Sequence, residues 1–362
     1  MRRVRLLVPG NIRHSSGGNV YNAHLVDGLK ALGEDVEVTA VEGAWPDASA
    51  HERRRLGSLL GAWGPGDRPG PVVVDGLIAV GAADELEFAA KAGQQTWILV
   101  HMPLPDTSLA ASLRREARAL RSATGVICTS STAATTLAAR GLEGVLVALP
   151  GTSAAALASG SDPLHLVAVA ALLPNKDQLL LLEALAGIRD LPWTASLVGS
   201  DSADPTYAEA VRGAIIRLGL TDRVSVRGEL SGQTLDAEWD RADLSLLISQ
   251  AEAYGMVVTE SLARGIPAVV RDGTGAVEAL AAGSPAGSEA PDAGGPPALP
   301  GAAVVLGTDP APLESALRTW LTNPGLRSRW HDAALAARTR LPGWDVTARI
   351  VLDAIASKAP GN

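Results

Sequence analysis

The chain of 362 residues has few aromatic side chains, a single cysteine and no basic excess. One cysteine, Cys128, excludes an internal disulfide and a cysteine-cluster metal site, and it agrees with a reducing compartment. No stretch approaches the ~20 apolar residues that a membrane-spanning helix needs, so we expect a soluble, cytoplasmic protein. A net charge of -8 lacks the basic field that nucleic-acid binding requires, which favours a small-molecule partner.

Two motifs of nucleotide sites are also missing. Without an Asp-x-Asp, the chain does not encode the carboxylate clamp of a metal-bridged diphosphate. The loop after the first apolar run lacks Gly-x-Gly-x-x-Gly, which argues against dinucleotide binding. The histidines share no metal-ligand spacing. We therefore expect neither a metal nor a cofactor.

Short apolar runs alternate with segments of helical length, which predicts parallel sheets with crossover helices. The predicted strands of the first series cover residues 4–8, 36–40, 72–75, 97–101, 125–129 and 145–149. Those of the second series cover residues 166–170, 194–198, 224–227, 244–248, 268–270 and 303–306. Two such series predict two similar domains, with a linker in the Gly/Ser/Ala/Pro-rich residues 150–163. The Gly- and Pro-rich residues 283–301 predict a mobile surface loop.

The most informative segment is EAYGMVVTESLARGIPAVV, which follows an apolar run typical of a buried strand. Its first residue, Glu252, is expected in the loop beyond the carboxyl end of that strand, where ligands bind in such sheets. Gly255 allows a tight turn, and the amides of Gly255, Met256 and Val257 then open a helix and offer an anion site. Glu260 lies about one turn further along. Two glutamates eight residues apart are common on solvated helix faces, so the order of elements carries this interpretation.

That order resembles the Glu-x7-Glu signature of retaining GT-B glycosyltransferases of family 4. In the family the first glutamate contacts the donor sugar, which is the role the resemblance gives to Glu252. The amides after the glycine contact sugar and phosphate, here those of Gly255, Met256 and Val257. The second glutamate binds the ribose hydroxyls, here Glu260.

The resemblance implies an α/β fold of the GT-B type, with two Rossmann-like doubly wound domains and an interdomain cleft. It predicts an acceptor-side domain over residues 1–158 and a nucleotide-sugar domain over residues 159–340. A crossover helix in residues 341–362 is expected to pack back on the N-terminal domain.

The segment VAALLPNKD resembles the Val-Gly-Arg-Leu-x-Pro-x-Lys-Gly block of the family and matches its lysine with Lys176. An ammonium group there can neutralise the diphosphate as charge builds on the leaving group. Two positions depart from the pattern, because the arginine of the family falls on Ala171 and the glycine after the lysine falls on Asp177. Either Lys176 and helix N-termini suffice, or another arginine such as Arg13 or Arg227 substitutes.

The loop after the first strand carries Gly17 and Gly18, which permit close approach of a ligand to the backbone. A helix is expected to begin near residue 20. The resemblance implies that this loop faces the donor phosphate and the acceptor, with Asn19 and Tyr21 as acceptor contacts. His101 ends the predicted strand TWILVH at the sheet edge that binds ligands, and in the family a histidine there touches the donor sugar. A lone histidine is otherwise more often structural.

Three further segments, SLVGS, GLTDRVSVRGEL and RADLSLLIS, resemble strands of the nucleotide-binding half of the family. The resemblance places the loop of Gly228, Glu229 and Leu230 beside the nucleobase. The identity of the base does not follow, because such contacts are largely made by the backbone.

The segment SLRREARALR predicts a basic amphipathic helix. Such helices bind anionic membrane surfaces when aromatic anchors accompany them. This one has no aromatic residue and the whole chain is acidic, so a solvated face is favoured over association with a membrane surface.

The predicted function is that of a metal-independent retaining glycosyltransferase, which moves a sugar from a nucleoside diphosphate sugar to a small soluble acceptor such as a cyclitol, an aminosugar or a heterocyclic metabolite. Retention by front-face attack lets the departing phosphate take the acceptor proton, so no carboxylate nucleophile is needed. The alternatives are a nucleotide-sugar 2-epimerase or phosphorylase of the same fold, and a catalytically silent nucleotide-sugar-binding protein.

Overall fold

The computed structural model describes residues 3–11, 16–63, 70–284 and 299–357. The chain divides into two compact units, one formed by Met1–Gly151 with Trp344–Asn362 and the other by Thr152–Gly343. The division after Gly151 falls inside the predicted linker. The roles predicted for the two domains stay predictions.

Unit 1 contains a parallel sheet in which strands and helices alternate. Its elements before the linker are β1 Arg3–Pro9, α1 Gly17–Ala31, β2 Asp35–Val41, α2 Ala50–Leu60, β3 Val72–Asp75, α3 Gly76–Gly81, α4 Ala83–Lys91, β4 Thr96–Val100, α5 Ala110–Ser122, β5 Gly125–Cys128, α6 Ser131–Ala139 and β6 Leu146–Val147. The strand order in the described residues is β2-β1-β3-β4-β5-β6. The chain leaves β1 towards one edge and returns to the other side of β1 with β3. The topological switch point therefore lies between β1 and β3, where open α/β sheets bind ligands at the carboxyl ends.

Unit 2 also contains a parallel sheet in which strands and helices alternate, but its strand order differs. Its elements are β7 His165–Val169, a 3-10 turn Pro174–Lys176, α7 Gln178–Gly187, β8 Thr194–Val198, α8 Pro205–Arg217, β9 Val224–Gly228, α9 Gly232–Asp240, β10 Leu244–Leu247, α10 Met256–Leu262, β11 Ala268–Arg271, α11 Ala276–Ala281, β12 Gly301–Val304, α12 Ala311–Thr322 and α13 Pro324–Arg338. The strand order over the described part is β12-β11-β10-β7-β8-β9, so the switch point lies between β7 and β10. Some of the scarce aromatic residues fill this core, since Trp193, Trp239 and Trp320 are almost fully buried.

The last helix, α14 (Trp344–Ser357), belongs to unit 1 and packs on α1. The His24 ring stacks on Trp344 with centroids 4.5 Å apart. A Cβ added to Gly28 would lie 2.7 Å from the Cβ of Ala348, so the two helices touch where α1 has no side chain. The predicted return of the final helix to the N-terminal domain is confirmed.

The α/β class and the twelve predicted strands are confirmed, because each predicted strand coincides with an observed one apart from its ends. These strands are rich in Val, Ile and Leu, as expected where helices cover both faces of a parallel sheet. The start of the first helix differs from the prediction near residue 20. Helix α1 begins at Gly17, because the Ser16 hydroxyl accepts a hydrogen bond from the Asn19 amide and caps the helix there. Residues 285–298 of the predicted surface loop lie outside the described residues.

Candidate functional site

Lys176 and Glu252 meet at the switch point of unit 2. Lys176 ends the 3-10 turn that follows β7, and Glu252 lies in the loop that follows β10. The Lys176 Nζ donates a hydrogen bond to Glu252 Oε1, and the two side chains are 21% and 14% exposed. The cation and the carboxylate that were assigned to phosphate and sugar thus form one partly buried ion pair.

The residue after the lysine is held by a buried arginine. Asp177 has a φ of 58°, in the left-handed region that glycine occupies most easily and that Asp tolerates better than most residues. Its Oδ2 accepts a hydrogen bond from the Arg271 guanidinium, which also donates to the carbonyls of Ile248 and Leu306 at 2.8 and 2.7 Å. The turn that presents Lys176 is thereby tied to the end of β11. Arg271 was not predicted from the sequence, although it is the charged residue that ends the apolar run AVVR.

Gly255 makes the turn into α10 with a φ of 90°. A Cβ at this position would lie 2.9 Å from Leu247 Cδ2 and 3.3 Å from Ala276, so a larger residue is excluded by both space and backbone conformation. Among the described residues, the amides of Met256 and Val257 have no hydrogen-bond acceptor, as expected in the first turn of a helix.

Glu260 lies in α10 without a side-chain hydrogen bond to any described residue. Burial raises the pKa of its carboxyl, and the charge of Arg264 offsets this only in part. A poorly solvated carboxylate without a donor is suited to accept hydrogen bonds from a ligand. Its assignment to a ribose stays a prediction.

The loop predicted beside the nucleobase begins where β9 ends. Gly228 has a φ of 69°, and its carbonyl accepts a hydrogen bond from Gly199 at 2.8 Å. Glu229 is exposed, whereas Leu230 packs against the apolar cluster around Trp239. Of the three residues, only Glu229 is strongly exposed, and their place beside a nucleobase stays a prediction.

Unit 1 has a cavity of about 260 Å³ at its own switch point. Its walls come from the start of α1, from the β3–α3 junction, from the residues after β4 and from α5. The lining includes the predicted site residues Gly18, Asn19 and His101.

His101 is fixed by a carboxylate and an amide. Its Nε2 lies 3.1 Å from Asn22 Oδ1 and 3.4 Å from Asp75 Oδ2, while the Asn22 amide donates to the same Asp75 oxygen. Both partners of Nε2 are acceptors, so they assign the hydrogen to Nε2 and leave Nδ1 of the neutral ring as an acceptor. Burial alone would raise the pKa of Asp75, but hydrogen bonds from His101, the Leu77 amide and Asn22 outweigh it and lower that pKa.

Asn22 and Asp75 were not predicted from the sequence. Asp75 ends the predicted strand VVVD at the same sheet edge as His101, so the rule that selected the histidine also selects this aspartate. Asn22 has no comparable signal, because it lies inside α1 rather than at the end of a strand.

The glycines after β1 form the first turn of α1. Gly17 is exposed, and a Cβ added to Gly18 would lie 3.2 Å from Cδ2 of His101. Glycine at position 18 therefore allows the imidazole to approach the helix backbone closely. Asn19 lines the cavity, as its predicted contact with the acceptor requires.

Tyr21, the other predicted acceptor contact, has a structural role instead. Its side chain is 1% exposed, and its hydroxyl donates to the Ala148 carbonyl at 2.9 Å. The ring packs edge-on against His101, with centroids 5.4 Å apart. Tyr21 lies on the buried face of α1 with Leu25 and Leu29, so its side chain is not available to a ligand.

In the described ranges, no group of three or more His, Cys, Asp or Glu side chains is arranged to hold a metal ion. No helix in these ranges is both long and apolar enough to cross a bilayer. In the predicted basic helix, α5, Arg118 pairs with Asp84 and Glu87. Arg118 is thus engaged within unit 1.

Two Rossmann-like parallel sheets, each with a topological switch point, define a GT-B fold, and solved structures agree. Sucrose-phosphate synthase from Thermosynechococcus elongatus superposes with a TM-score of 0.75 at 16% identity over 99% of both chains. HepE from Anabaena, solved in complex with UDP-glucose, superposes with a TM-score of 0.74 at 17% identity. The superposition covers 99% of this chain and 100% of HepE.

The chain belongs to the family described as glycosyl transferases group 1, whose profile matches residues 152–336. Two curated relatives are both named D-inositol 3-phosphate glycosyltransferase. The protein from Streptomyces coelicolor is 32% identical over 156 residues, which is 43% of this chain and 30% of the relative. The protein from Xylanimonas cellulosilytica is 31% identical over 172 residues, 47% of this chain and 37% of the relative. The chain thus matches only about a third of the length of these relatives.

Proposed function

We propose that this chain is a retaining glycosyltransferase of family 4, which moves a sugar from a nucleoside diphosphate sugar to a small hydroxylated metabolite. The observation that carries the proposal is the Lys176–Glu252 ion pair at the β7/β10 switch point. It places one cation and one carboxylate where open α/β sheets bind nucleotides. Membership of the glycosyl transferases group 1 family and the GT-B fold support the same class of enzyme.

Lys176 is proposed to stabilise the diphosphate as it departs with increasing negative charge. Two other arginines of unit 2 have carboxylate partners. Arg271 is buried and bonded to Asp177, and Arg227 lies 3.4 Å from the Glu238 carboxylate. Arg13, the remaining substitute considered for the family arginine, lies outside the described residues. The ammonium of Lys176, which matches the lysine of the resembled block and lies at the β7/β10 switch point, is the proposed phosphate contact.

The donor and acceptor classes are supported from two directions. HepE binds UDP-glucose and has the same fold, which favours a nucleotide-sugar donor here. The curated relatives are named for a phosphorylated cyclitol, which favours a small polyhydroxylated acceptor. A cavity of about 260 Å³ in unit 1 is slightly smaller than most ligand pockets, which run from about 300 to 1,000 Å³, and this size favours a single-ring metabolite. We propose that the reaction needs no divalent metal.

The test starts with thermal shifts against UDP, ADP, GDP and TDP, since a bound ligand raises apparent stability. Sugars on the responding nucleotide are then offered with a panel of cyclitols and aminosugars, and the products are analysed by NMR. Retained anomeric configuration in a transfer product is expected. Lys176→Ala should lower transfer at least about a hundredfold, while the exposed control Lys30→Ala should not.

Other outcomes identify the alternatives. An epimerised nucleotide sugar, or a sugar 1-phosphate formed with inorganic phosphate, would replace the transferase by an epimerase or a phosphorylase. Nucleotide binding without donor hydrolysis or transfer would show a silent binding protein, which is the alternative raised by Ala171.

A further inference from the structure

The side chain of Arg140 joins three segments of unit 1 beside one wall of its cavity. Arg140 directly follows α6, and its guanidinium reaches Glu116 on α5 and the loop between β4 and α5. We infer that Arg140 is a positioning residue, which holds this loop in place as a cavity wall and thereby sets the affinity for the ligand. With the acceptor as that ligand, the inference rests on the proposed function.

The wall is formed by the residues that follow β4. Met102 and Leu104 line the cavity from this loop, and Glu116 lines it from α5. Leu104 stands between Pro103 and Pro105, and a proline has no amide hydrogen. The Leu104 amide is therefore the one backbone donor of these three residues, so its partner decides how the stretch is anchored.

Both backbone polar groups of Leu104 are held by the pair of Arg140 and Glu116. The amide donates to Glu116 Oε1 at 2.8 Å, and the carbonyl accepts from Arg140 Nη2 at 2.6 Å. Arg140 Nη1 donates to the other carboxylate oxygen, Oε2, at 2.8 Å. These three hydrogen bonds link the loop, α5 and the end of α6 in a closed ring. Neither side chain can move away without releasing Leu104.

Burial separates the contacts that fix the loop from one that does not. The side chains of Glu116 and Arg140 are 6% and 24% exposed. Burial raises the pKa of Glu116, and the bonds from Leu104 and Arg140 offset this only in part. Arg140 also donates to Asp106, but that side chain is 87% exposed, and exposed ion pairs contribute little. We therefore expect Glu116 and Arg140 to be needed for the loop and Asp106 to be dispensable.

A loop that is ordered in advance binds its ligand without an additional entropic cost. If Leu104 were released, the stretch that carries Met102 could move, and the ligand would have to order it. This loss should appear in the affinity for the acceptor, and therefore in KM, whereas kcat should change little. His101 precedes the stretch and is held separately by Asn22 and Asp75, so its position does not depend on Arg140.

Two of the three methionines report on separate sites. Met102 lies in the loop, and Met256 begins α10 at the proposed phosphate site. The experiment records the NMR resonances of isotope-labelled methionine methyl groups in the whole protein, with Met102→Leu for assignment. In Arg140→Gln the Met102 resonance should shift and sharpen, while that of Met256 stays unchanged. Hydrogen exchange at the Leu104 amide should accelerate at least about tenfold.

The probe for the cavity is myo-inositol, whose binding is followed through the Met102 resonance. In Arg140→Gln its Kd should rise at least about tenfold. In the transfer assay KM for the acceptor should rise by a similar factor, while kcat stays within about twofold. A purely structural role would lower kcat as well and would disturb Met256.

Arg118→Gln is the matched control, because Arg118 also pairs with two carboxylates of unit 1, those of Asp84 and Glu87 on α4. It should leave Met102 and the Kd of myo-inositol unchanged. If Arg140→Gln fails to fold, Arg140→Lys decides, since lysine keeps the charge but lacks the planar fork that spans Glu116 and the Leu104 carbonyl. Its Kd should then lie between those of the unmodified protein and the control on one side and a tenfold increase on the other, at about threefold.

An unchanged Met102 resonance with unchanged exchange at Leu104 would overturn the inference. A parallel loss of kcat and affinity would also overturn it, as would failure of myo-inositol to shift Met102 in the unmodified protein. The outcome for the proposed function is separate. If the unmodified protein yields no glycosylated product with any nucleotide sugar, the transferase assignment fails, and the NMR and exchange measurements still decide the role of Arg140.

Discussion

Replacing Glu252 by glutamine should separate binding of the nucleotide from transfer of the sugar. In the structure the carboxylate neutralises Lys176, so a diphosphate must compete with it for the ammonium. The neutral amide of Glu252→Gln removes this competitor. We therefore expect the bare nucleoside diphosphate to bind more tightly to the variant, although the residue belongs to the proposed site.

The size of the effect follows from the burial of the pair. Two unit charges 4 Å apart attract by about 4 kcal/mol at an effective dielectric constant of about 20. Desolvation and side-chain ordering offset most of this for side chains that are 21% and 14% exposed, which leaves about 1 kcal/mol. That corresponds to roughly a fivefold decrease in Kd for the nucleoside diphosphate. Sugar transfer should fall at least about a hundredfold, because the contact with the transferred sugar is lost.

Calorimetric titration with the responding nucleoside diphosphate, together with a transfer assay, measures both quantities. Lys176→Ala should weaken nucleotide binding, and adding Glu252→Gln to it should change nothing further, since the competition needs both partners. Glu183→Gln, an exposed glutamate on α7, is the matched control. Weaker nucleotide binding by Glu252→Gln would refute the competition between the Glu252 carboxylate and the diphosphate for Lys176. Unchanged transfer would refute the contact between Glu252 and the transferred sugar.

Four further predictions follow from single contacts. Burial raises the pKa of Glu260, so its stabilising contribution is present at low pH and is lost as pH rises through that pKa. Glu260→Gln should therefore raise Tm by about 2 to 4 °C at pH 8 but not at pH 4, and it should weaken binding of the nucleotide. An equal gain in Tm at both pH values would contradict this. Gly18→Ala should lower transfer about tenfold, because the added Cβ would lie 3.2 Å from the His101 ring and displace it. Gly213→Ala, which has open space around it in α8, should leave transfer intact. Equal activities of the two variants would show that transfer does not depend on the close approach of the imidazole to α1. Asp177→Gly removes the strain of a left-handed backbone conformation but leaves the buried Arg271 without its carboxylate partner. Urea unfolding should therefore show a net decrease of about 2 to 4 kcal/mol in the free energy of unfolding. An increase would show that the ion pair contributes little to stability. Transfer should survive EDTA, and loss of activity that magnesium or manganese restores would contradict the proposed metal independence.

The fold followed from local patterns because buried parallel strands leave a strong trace in sequence. Runs such as VVVD and TWILV are apolar on both faces, which indicates a strand between two helical layers without any knowledge of its partners. The order of the strands within the sheets did not follow in the same way. Pairing of β7 with β10 joins segments almost eighty residues apart, and it became visible only in the structure.

The candidate site shows the same division between local and distant information. Glu252 and Lys176 were found through motifs, but their ion pair depends on two loops that sheet topology brings together. Asp177 was recognised as a departure from the family, yet the buried arginine that balances it comes from β11. The predicted contact of Tyr21 was wrong about the direction of a side chain, because the Ala148 carbonyl that accepts its hydroxyl lies 127 residues away in the sequence.

The position of α14 on unit 1 has a consequence for the order in which a nascent chain can acquire its structure. About 200 residues separate Gly151 from the end of this helix, which ribosomes translate in roughly 10 to 40 s. During this interval the face of α1 that carries His24 and Gly28 has no covering helix, and the whole of unit 2 is made before that helix is translated. The second unit can thus complete its core before the first, the reverse of vectorial folding. The face of α1 that α14 later covers is the part of the molecule that a ribosome-bound chaperone would have to shield.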